Sequence, residues 1–543
     1  MKNILCLLLL AGAIATQAQT PNELFRHIPA DADHVYHVRL DAIGAKTPWA
    51  SIATLLKDRN LGSHHPITGM DIASFMNSGI DFHQDIVVAE SNAFAADSPK
   101  YYTFIIHLTD SGKLAAFIRA KAKEGHGEPL HFIHVGKERI AIHDHDAAAW
   151  TDHLAVLLTS TPPAAHSDDT TNASAAHAAK YQASSARRCA AALHGYSDTY
   201  FLTNPTFTAA FADDADVHIW NRHTNGFGGM GKMLMGSKAN NLEGLSQLVQ
   251  KAHTDATIGT LRFLPGKIVY RNQRLITPTE KIALQHFAGQ GLSPELAAAV
   301  PPGELMGLMT VHFDMTAWAD SMGKTPVAGM FTAPLQKKGL TLQDLPKALK
   351  GDFMILAYTP DKNASGARPM PSVYLVTTVN DKATFIQVAK AVKFADAAAP
   401  DDTTATDTSH HKMQIYYGLQ SDLAVLTSSR EQAGAFFNHP AATANPTARL
   451  LTPQAYTNSF TLGIDMQAVG DFLTPLLTKG DTLSAKNKGL LDAIHQMDIL
   501  QLSTGAIHDD VVETNVELRM TDSNKNALSS FADILSSLSK SPH

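Results

Sequence analysis

Cysteine is nearly absent from this chain of 543 residues: only Cys6 and Cys189 occur. If the first eighteen residues are removed on export, Cys189 stands alone and no intramolecular disulfide can form, so stability has to come from burial. Basic charge is also without excess. Lys and Arg number 44 against 51 Asp and Glu, spread along the chain. That balance leaves no electrostatic footprint for nucleic acid or anionic lipid, and both partners are disfavoured. No apolar run reaches the length of a membrane span; the longest candidate, Ile4 to Ile14, is too short to cross a bilayer comfortably.

That short run has another reading. One charge at Lys2, the apolar core, and the exit through Thr16, Gln17 and Ala18 follow the order of a cleavable secretory signal. Cleavage after Ala18 would leave Gln19 as the amino terminus and place the mature chain in the periplasm or outside the cell, with no transmembrane segment. Cys6 lies ahead of most of the apolar core, behind Asn3-Ile4-Leu5, so it lacks the small residue expected before a lipidated cysteine and anchoring is not expected.

What the chain does contain is enough apolar material for several cores: 44% of its residues are hydrophobic, and the length suggests roughly three or four domain-sized units. The most informative pattern is an internal repeat. Ile28-Pro29 leads to Val38-Arg39-Leu40-Asp41 as Pro301-Pro302 leads to Val311-His312-Phe313-Asp314. Asp85 to Ala89 then matches Asp352 to Ala357, and Tyr101 to Leu108 followed by helical Lys113 to Ala122 matches Ser372 to Val379 followed by Lys382 to Val392. Late in each half, Gly266 to Asn272 matches Asp509 to Asn515.

The alternation in Ile268 to Ile276 and Val512 to Met520 predicts strands with one buried and one wetter face, the mark of antiparallel sheets. Helices such as Trp49 to Lys57 and Asn524 to Leu538 would cover them, the latter through Leu528, Phe531, Ile534, Leu535 and Leu538. The expected fold is α+β, two diverged tandem repeats of mainly antiparallel sheet packed against helices, over 19–292 and 293–543. Two Ala/Ser/Thr-rich stretches, 159–185 and 395–411, have too few large apolar residues for a core and are expected as loops.

The opening Ile28-Pro29-Ala30-Asp31-Ala32 and the segment Asn204-Pro205-Thr206-Phe207 leading to Asp216-Val217-His218-Ile219-Trp220, behind a signal-like start, resemble an uncharacterised exported bacterial family of the domain-of-unknown-function type. The resemblance would span nearly all of the mature chain. It implies no activity and supplies no catalytic or ligand residues; members are often lipoproteins, a pattern from which Cys6 departs.

Chemical motifs are few. Gly226-Phe227-Gly228-Gly229-Met230-Gly231-Lys232 approaches a phosphate-binding loop, but Met233 stands where a hydroxyl should hold Mg²⁺. Among 27 histidines, His143-Asp144-His145-Asp146 is the best cluster: on a strand, His143 and His145 share a face and could both reach a metal. A turn at Gly136-Lys137 would set His134 opposite Arg139 and His143 opposite Leu130, which puts His134 about 13 Å from His143. Leu423 to Leu426, taken as the counterpart of Arg139 to His145, continues without histidines.

Ser321-Met322-Gly323-Lys324 has Ser-x-x-Lys spacing without its companion motifs. Cys189 is expected at a helix start near a loop, where a thiol could react. Asp41 and Asp314 are expected to cap the helices that follow them. No catalytic constellation, cofactor or nucleic-acid interface is nominated. The expected function is an exported binding or structural module of the cell envelope, with an unknown ligand or envelope protein as partner; the alternative is a hydrolase or metal-dependent enzyme whose site is assembled from distant residues.

Overall fold

A computed structural model describes residues 23–51, 76–92, 99–124, 130–135, 138–143, 146–161, 173–197, 200–222, 256–278, 281, 291–323, 328–360, 370–398, 414–438, 447, 449–451, 456–478, 484–508 and 510–539. They fall into two compact units, one holding 1–222 with 258–262 and the other 223–257 with 263–543. The division thus departs from the expected boundary at 292, because the strand Lys267–Leu275 pairs with Val511–Met520 of the second half. The proposed signal segment lies outside the described residues. Among the described residues no helix is long and apolar enough to cross a membrane.

In the first unit, strands β1 (Ala32–Val38), β2 (Ile86–Ser91), β3 (Lys100–His107), β4 (His131–Val135), β5 (Glu138–His143), β6 (Asp146–Trp150), β7 (Leu154–Thr161) and β8 (Val217–Asn221) form a fully antiparallel sheet. Its order is β8-β1-β2-β3-β7-β6-β5-β4. Period-two alternation decides which side chains turn inward. On β2 they are Val87, Ala89 and Ser91, on β1 Val35 and His37, and on β8 His218 and Trp220. Helix Ser111–Glu124 begins where the Asp110 carboxylate accepts from the Gly112 and Lys113 N–H groups, and its Leu114 and Ala115 join Ile106, Trp150 and Leu157 in one core.

Strand β9 (Thr257–Leu264) follows. The second unit then carries β10 (Lys267–Leu275), β11 (Leu305–His312), β12 (Leu349–Tyr358), β13 (Ser372–Val379), β14 (Ala395–Asp396), β15 (Tyr416–Gln420), β16 (Leu423–Thr427), β17 (Phe460–Asp465), β18 (Met497–His508) and β19 (Val511–Met520). Its order is β10-β19-β18-β17-β11-β12-β13-β16-β15-β14, antiparallel except for the last pair. Helices Lys382–Ala391 and Ala527–Ser539 bury Phe385, Val388 and Ile534 in separate cores. The architecture is α+β with mainly antiparallel sheet.

Pairing registers agree between the units at the aligned positions. Val38 faces Ile86 and Val217, as Val311 faces Phe353 and Phe460. The Arg39 N–H donates to the Asp216 carbonyl, and the His312 N–H donates to that of Ser459. Leu108 bridges Ile80 as Val379 pairs Leu349, and the N–H groups of Leu108 and Val379 donate to His153 and Asp422.

Three expectations are corrected. The counterpart of Leu423–Leu426 is Leu154–Leu157 and not Arg139–His145, since β7 pairs β3 as β16 pairs β13, and both segments read Leu-Ala-Val-Leu. The stretch 159–185 is no continuous loop: β7 reaches Thr161 and residues from 173 onward belong to helix Ala173–His194. Alanine has the highest helix propensity, and the last turns need only small buried residues, Ser185, Cys189 and Ala192, to lie on β6 and β7. Asp41 caps nothing; its helix, Leu40–Lys46, starts directly off β1 with Asp41 inside the first turn. Of 395–411, Ala395–Asp396 forms β14, and 399–411 lies outside the described residues.

Candidate functional site

The first unit holds a group of linked titratable side chains that the sequence reading passed over. His37 and His218 occupy directly opposed inward positions of β1 and β8, with 4% and 0% of their surface exposed. Their Nδ1 atoms lie 3.1 Å apart. The rings are 19° from coplanar with centroids 5.2 Å apart. Nitrogens that much closer than the ring centres meet edge to edge, so a hydrogen between them lies near both ring planes, as a hydrogen bond requires.

Each remaining ring nitrogen reaches a carboxylate. His37 Nε2 is 2.8 Å from Asp85 Oδ2, and His218 Nε2 is 2.6 Å from Asp213 Oδ1. Arg262 donates to the other Asp213 oxygen at 2.7 Å and also pairs with Asp214. Five segments therefore meet here: β1, the residue before β2, the turn before β8, β8 itself, and β9. Phe25 and Phe211 close over the imidazoles, with Phe25 edge-on to His37 at 5.5 Å and Phe211 5.4 Å from His218. Phe25 comes from the short helix Glu23–His27, while Phe211 follows helix Pro205–Ala210. The rings are dry, whereas the Asp85 and Asp213 side chains remain 28% and 42% exposed.

Burial pushes His218 down from the ordinary histidine value; its bond to Asp213 opposes this, and the nearby charges of His37 and Arg39 add to it, for a net lowering. Burial pushes Asp213 up, but the Ala215 N–H, His218 and Arg262 outweigh it and hold the carboxyl below its usual range. Asp213 is thus ionised wherever the fold persists near neutrality.

The second unit carries a different arrangement. Thr310 and Thr461 stand where His37 and His218 stand in the first. Two rungs along β11 stands His312, whose Nδ1 bonds the Asp352 carboxylate. Ser459, just before β17, faces His312 through its carbonyl. The Ser459 hydroxyl, however, donates to the Thr504 carbonyl at 3.5 Å and lies against Gly505, a φ +100° position, on the side of β17 away from β11.

Sequence-nominated groups fare as follows. His143 ends β5 opposite Asp146, its Nε2 buried without a hydrogen-bond partner; His145 lies outside the described residues, so the structure does not place the two together. Among the described residues no group of three or more His, Cys, Asp or Glu could hold a metal. β4 and β5 pair in the expected register, His134 opposite Arg139. Cys189 is not at a helix start but in the last two turns of its helix, fully buried, with its thiol pushed up by burial. Asp314 does cap, accepting from the Thr316 and Ala317 N–H groups at 2.8 and 3.1 Å. The glycine-rich segment 226–232 and Lys324 lie outside the described residues.

No family model matches the chain, and no curated protein matches it. Among solved structures it is similar to three crystal forms of a protein titled TP0453. Form IV shares 10% identity over 50% of this chain and 87% of that one, with a TM-score of 0.27. Form I gives 9%, 48%, 80% and 0.28, and form III gives 10%, 50%, 88% and 0.27. Likeness at that level carries no inference about this chain.

Proposed function

We propose that this chain is an exported, non-catalytic binding or structural module of the cell envelope, built from two diverged copies of one α+β unit and related to the exported family its opening segment resembles. The observation that carries the non-catalytic reading is the state of the His37–His218 pair. All four ring nitrogens are engaged and both rings are sealed under Phe25 and Phe211, whereas a general base must reach the proton it abstracts. Duplication is supported by the registers common to both units. The export reading rests on Lys2 and the apolar run behind it.

The test is expression of the full chain in a bacterial host, followed by fractionation and amino-terminal sequencing. A chain beginning at Gln19 outside the cytoplasm is expected; one retained in the cytoplasm with Met1 in place overturns the export reading.

A hydrolase is the second reading, favoured by the Asp352–His312 pair, in which a carboxylate orients an imidazole. Chromogenic ester, phosphoester, glycoside and peptide substrates discriminate. Equal background with wild type and His312→Gln is expected of a binding module, and turnover abolished by His312→Gln would replace it with an enzyme.

A further inference from the structure

Counting protons along the buried chain from Asp85 to Asp213 gives a result that its distances alone do not state. The links Asp85–His37, His37–His218 and His218–Asp213 are three hydrogen bonds, and each needs one proton. An ionised carboxylate supplies none and a neutral imidazole supplies one. Two neutral rings therefore make two of the three links, and the third requires another proton. Asp213, held ionised by the Ala215 N–H and Arg262, does not carry it.

We propose that the His37–His218 pair holds one extra proton as a single unit and thereby makes the closure of β1 against β8 depend on pH. In the arrangement that satisfies every link, His37 is the imidazolium, donating through Nε2 to Asp85 and through Nδ1 to His218. His218 is neutral, accepting at Nδ1 and donating from Nε2 to Asp213. The charges then balance locally: Asp85, Asp213 and Asp214 stand against one imidazolium, Arg262 and nearby Arg39, which is what makes a buried positive ring tolerable. The edge of Phe25 and the ring of Phe211 fill the remaining space.

Acid breaks this arrangement at one atom. A proton added to His218 turns its Nδ1 from acceptor into donor, so that two N–H groups oppose each other across 3.1 Å and two positive rings share a dry site. Of the other charged groups nearby, Arg39 just after β1 and Arg262 on β9 oppose the second proton while Asp213 favours it. Lys46 and Asp216 pair with each other at the end of β8. His27, on the helix that carries Phe25, bonds the Ala192 carbonyl. The device is local to this unit, because Thr310 and Thr461 at the matching rung cannot titrate.

The test uses the full chain and its double variant His37→Thr with His218→Thr, which copies the second unit. Hydrogen exchange along β1 and β8 is followed as pH falls, as protection relative to the unstructured rate. The expected wild-type result is a loss of protection in the first unit below the ordinary histidine value, steeper than that of the double variant by up to about tenfold per pH unit. An equal loss in both proteins overturns the proposal.

Should the double variant not fold, imidazole ¹⁵N spectra of the wild type decide, with His37→Gln and His218→Gln used only to assign the signals. One ring protonated on both nitrogens beside a neutral, Nε2-protonated partner at neutral pH is expected, as are two separated titration steps for the pair. Two neutral rings that titrate independently in one step sink the idea.

Discussion

The Cys189 thiol donates to the Val156 carbonyl at 3.1 Å, tying the last turns of helix Ala173–His194 to β7. Burial pushes that thiol far up from its ordinary value, with only a backbone hydrogen bond opposing, so almost no thiolate exists near neutrality, and the thiolate is the reactive form. A disulfide-exchange reagent should leave Cys189 unmodified in the native chain and modify it fully in denaturant. Native labelling at a rate set by the reagent, and not by opening of the fold, would contradict the burial.

Gly79 is a second fixed point. Its φ is +83°, and a Cβ there would lie 2.1 Å from the Asp110 carbonyl oxygen. Its own carbonyl accepts from the N–H groups of Thr109 and Asp110, so the chain cannot shift without losing those bonds. Gly79→Ala should destabilise the first unit by on the order of 2–3 kcal/mol through strain alone, measured as a fall in denaturant midpoint; a change within ±0.5 kcal/mol, about that of a neutral surface substitution, would refute the geometry.

Asp314 and Asp465 invite a comparison of caps. Asp314 accepts from two N–H groups at the head of helix Met315–Gly323 and stands exposed. Asp465 does the same for helix Met466–Leu477, but is buried and also pairs with Arg449, which reaches Asp498 as well. Asp314→Ala should cost about 1 kcal/mol, the usual worth of a cap. Asp465→Ala should cost clearly more, because it leaves the buried Ala468 N–H without its acceptor and removes one of the two carboxylate partners of Arg449. Chemical denaturation of both variants checks the order, and an equal loss would mean that neither adds to the cap.

Legibility in the sequence followed the reach of each interaction. The strands around Ile268 and Val512 were readable because alternation is local, although the expected division into a buried and a wetter face is not there, intermediate exposure running along nearly the whole of both strands; the segments matched in the sequence pair in like register at Val38–Ile86 and Val311–Phe353. The helix over 173–185 was missed because alanine, serine and histidine read as low complexity; its buried contacts with β6 and β7 come from residues nearer its end. His37 and His218 were missed for a different reason. Their partnership spans 181 residues, and only their place on the inward face of apolar alternating strands marked them. His143 and His145 drew attention because they are adjacent in sequence, a property unrelated to which side chains a sheet brings together.

His27 yields the last prediction. Its Nδ1 is 2.7 Å from the Ala192 carbonyl, an acceptor, so Nδ1 carries the hydrogen, and the ring is buried beside Phe25 and Ile28. Burial lowers its pKa; the Ala192 bond opposes this and Arg26 adds to it, leaving a net lowering. The unfolded chain then binds a proton more readily than the folded one, so the unfolded state gains protons first as the solution is acidified. The stabilising contribution of neutral His27 is fully present above the ordinary histidine value of about 6.5, and is lost as pH falls through the lowered value. Replacing His27 with Gln, which can still donate to Ala192, should leave a shallower slope of unfolding free energy against pH between the ordinary value and the lowered one than in the wild type. Because His27 and the His37–His218 pair share no hydrogen bond, the change should add to that of the double threonine variant. An unchanged acid slope in His27→Gln would mean that the ring is charged in the folded state.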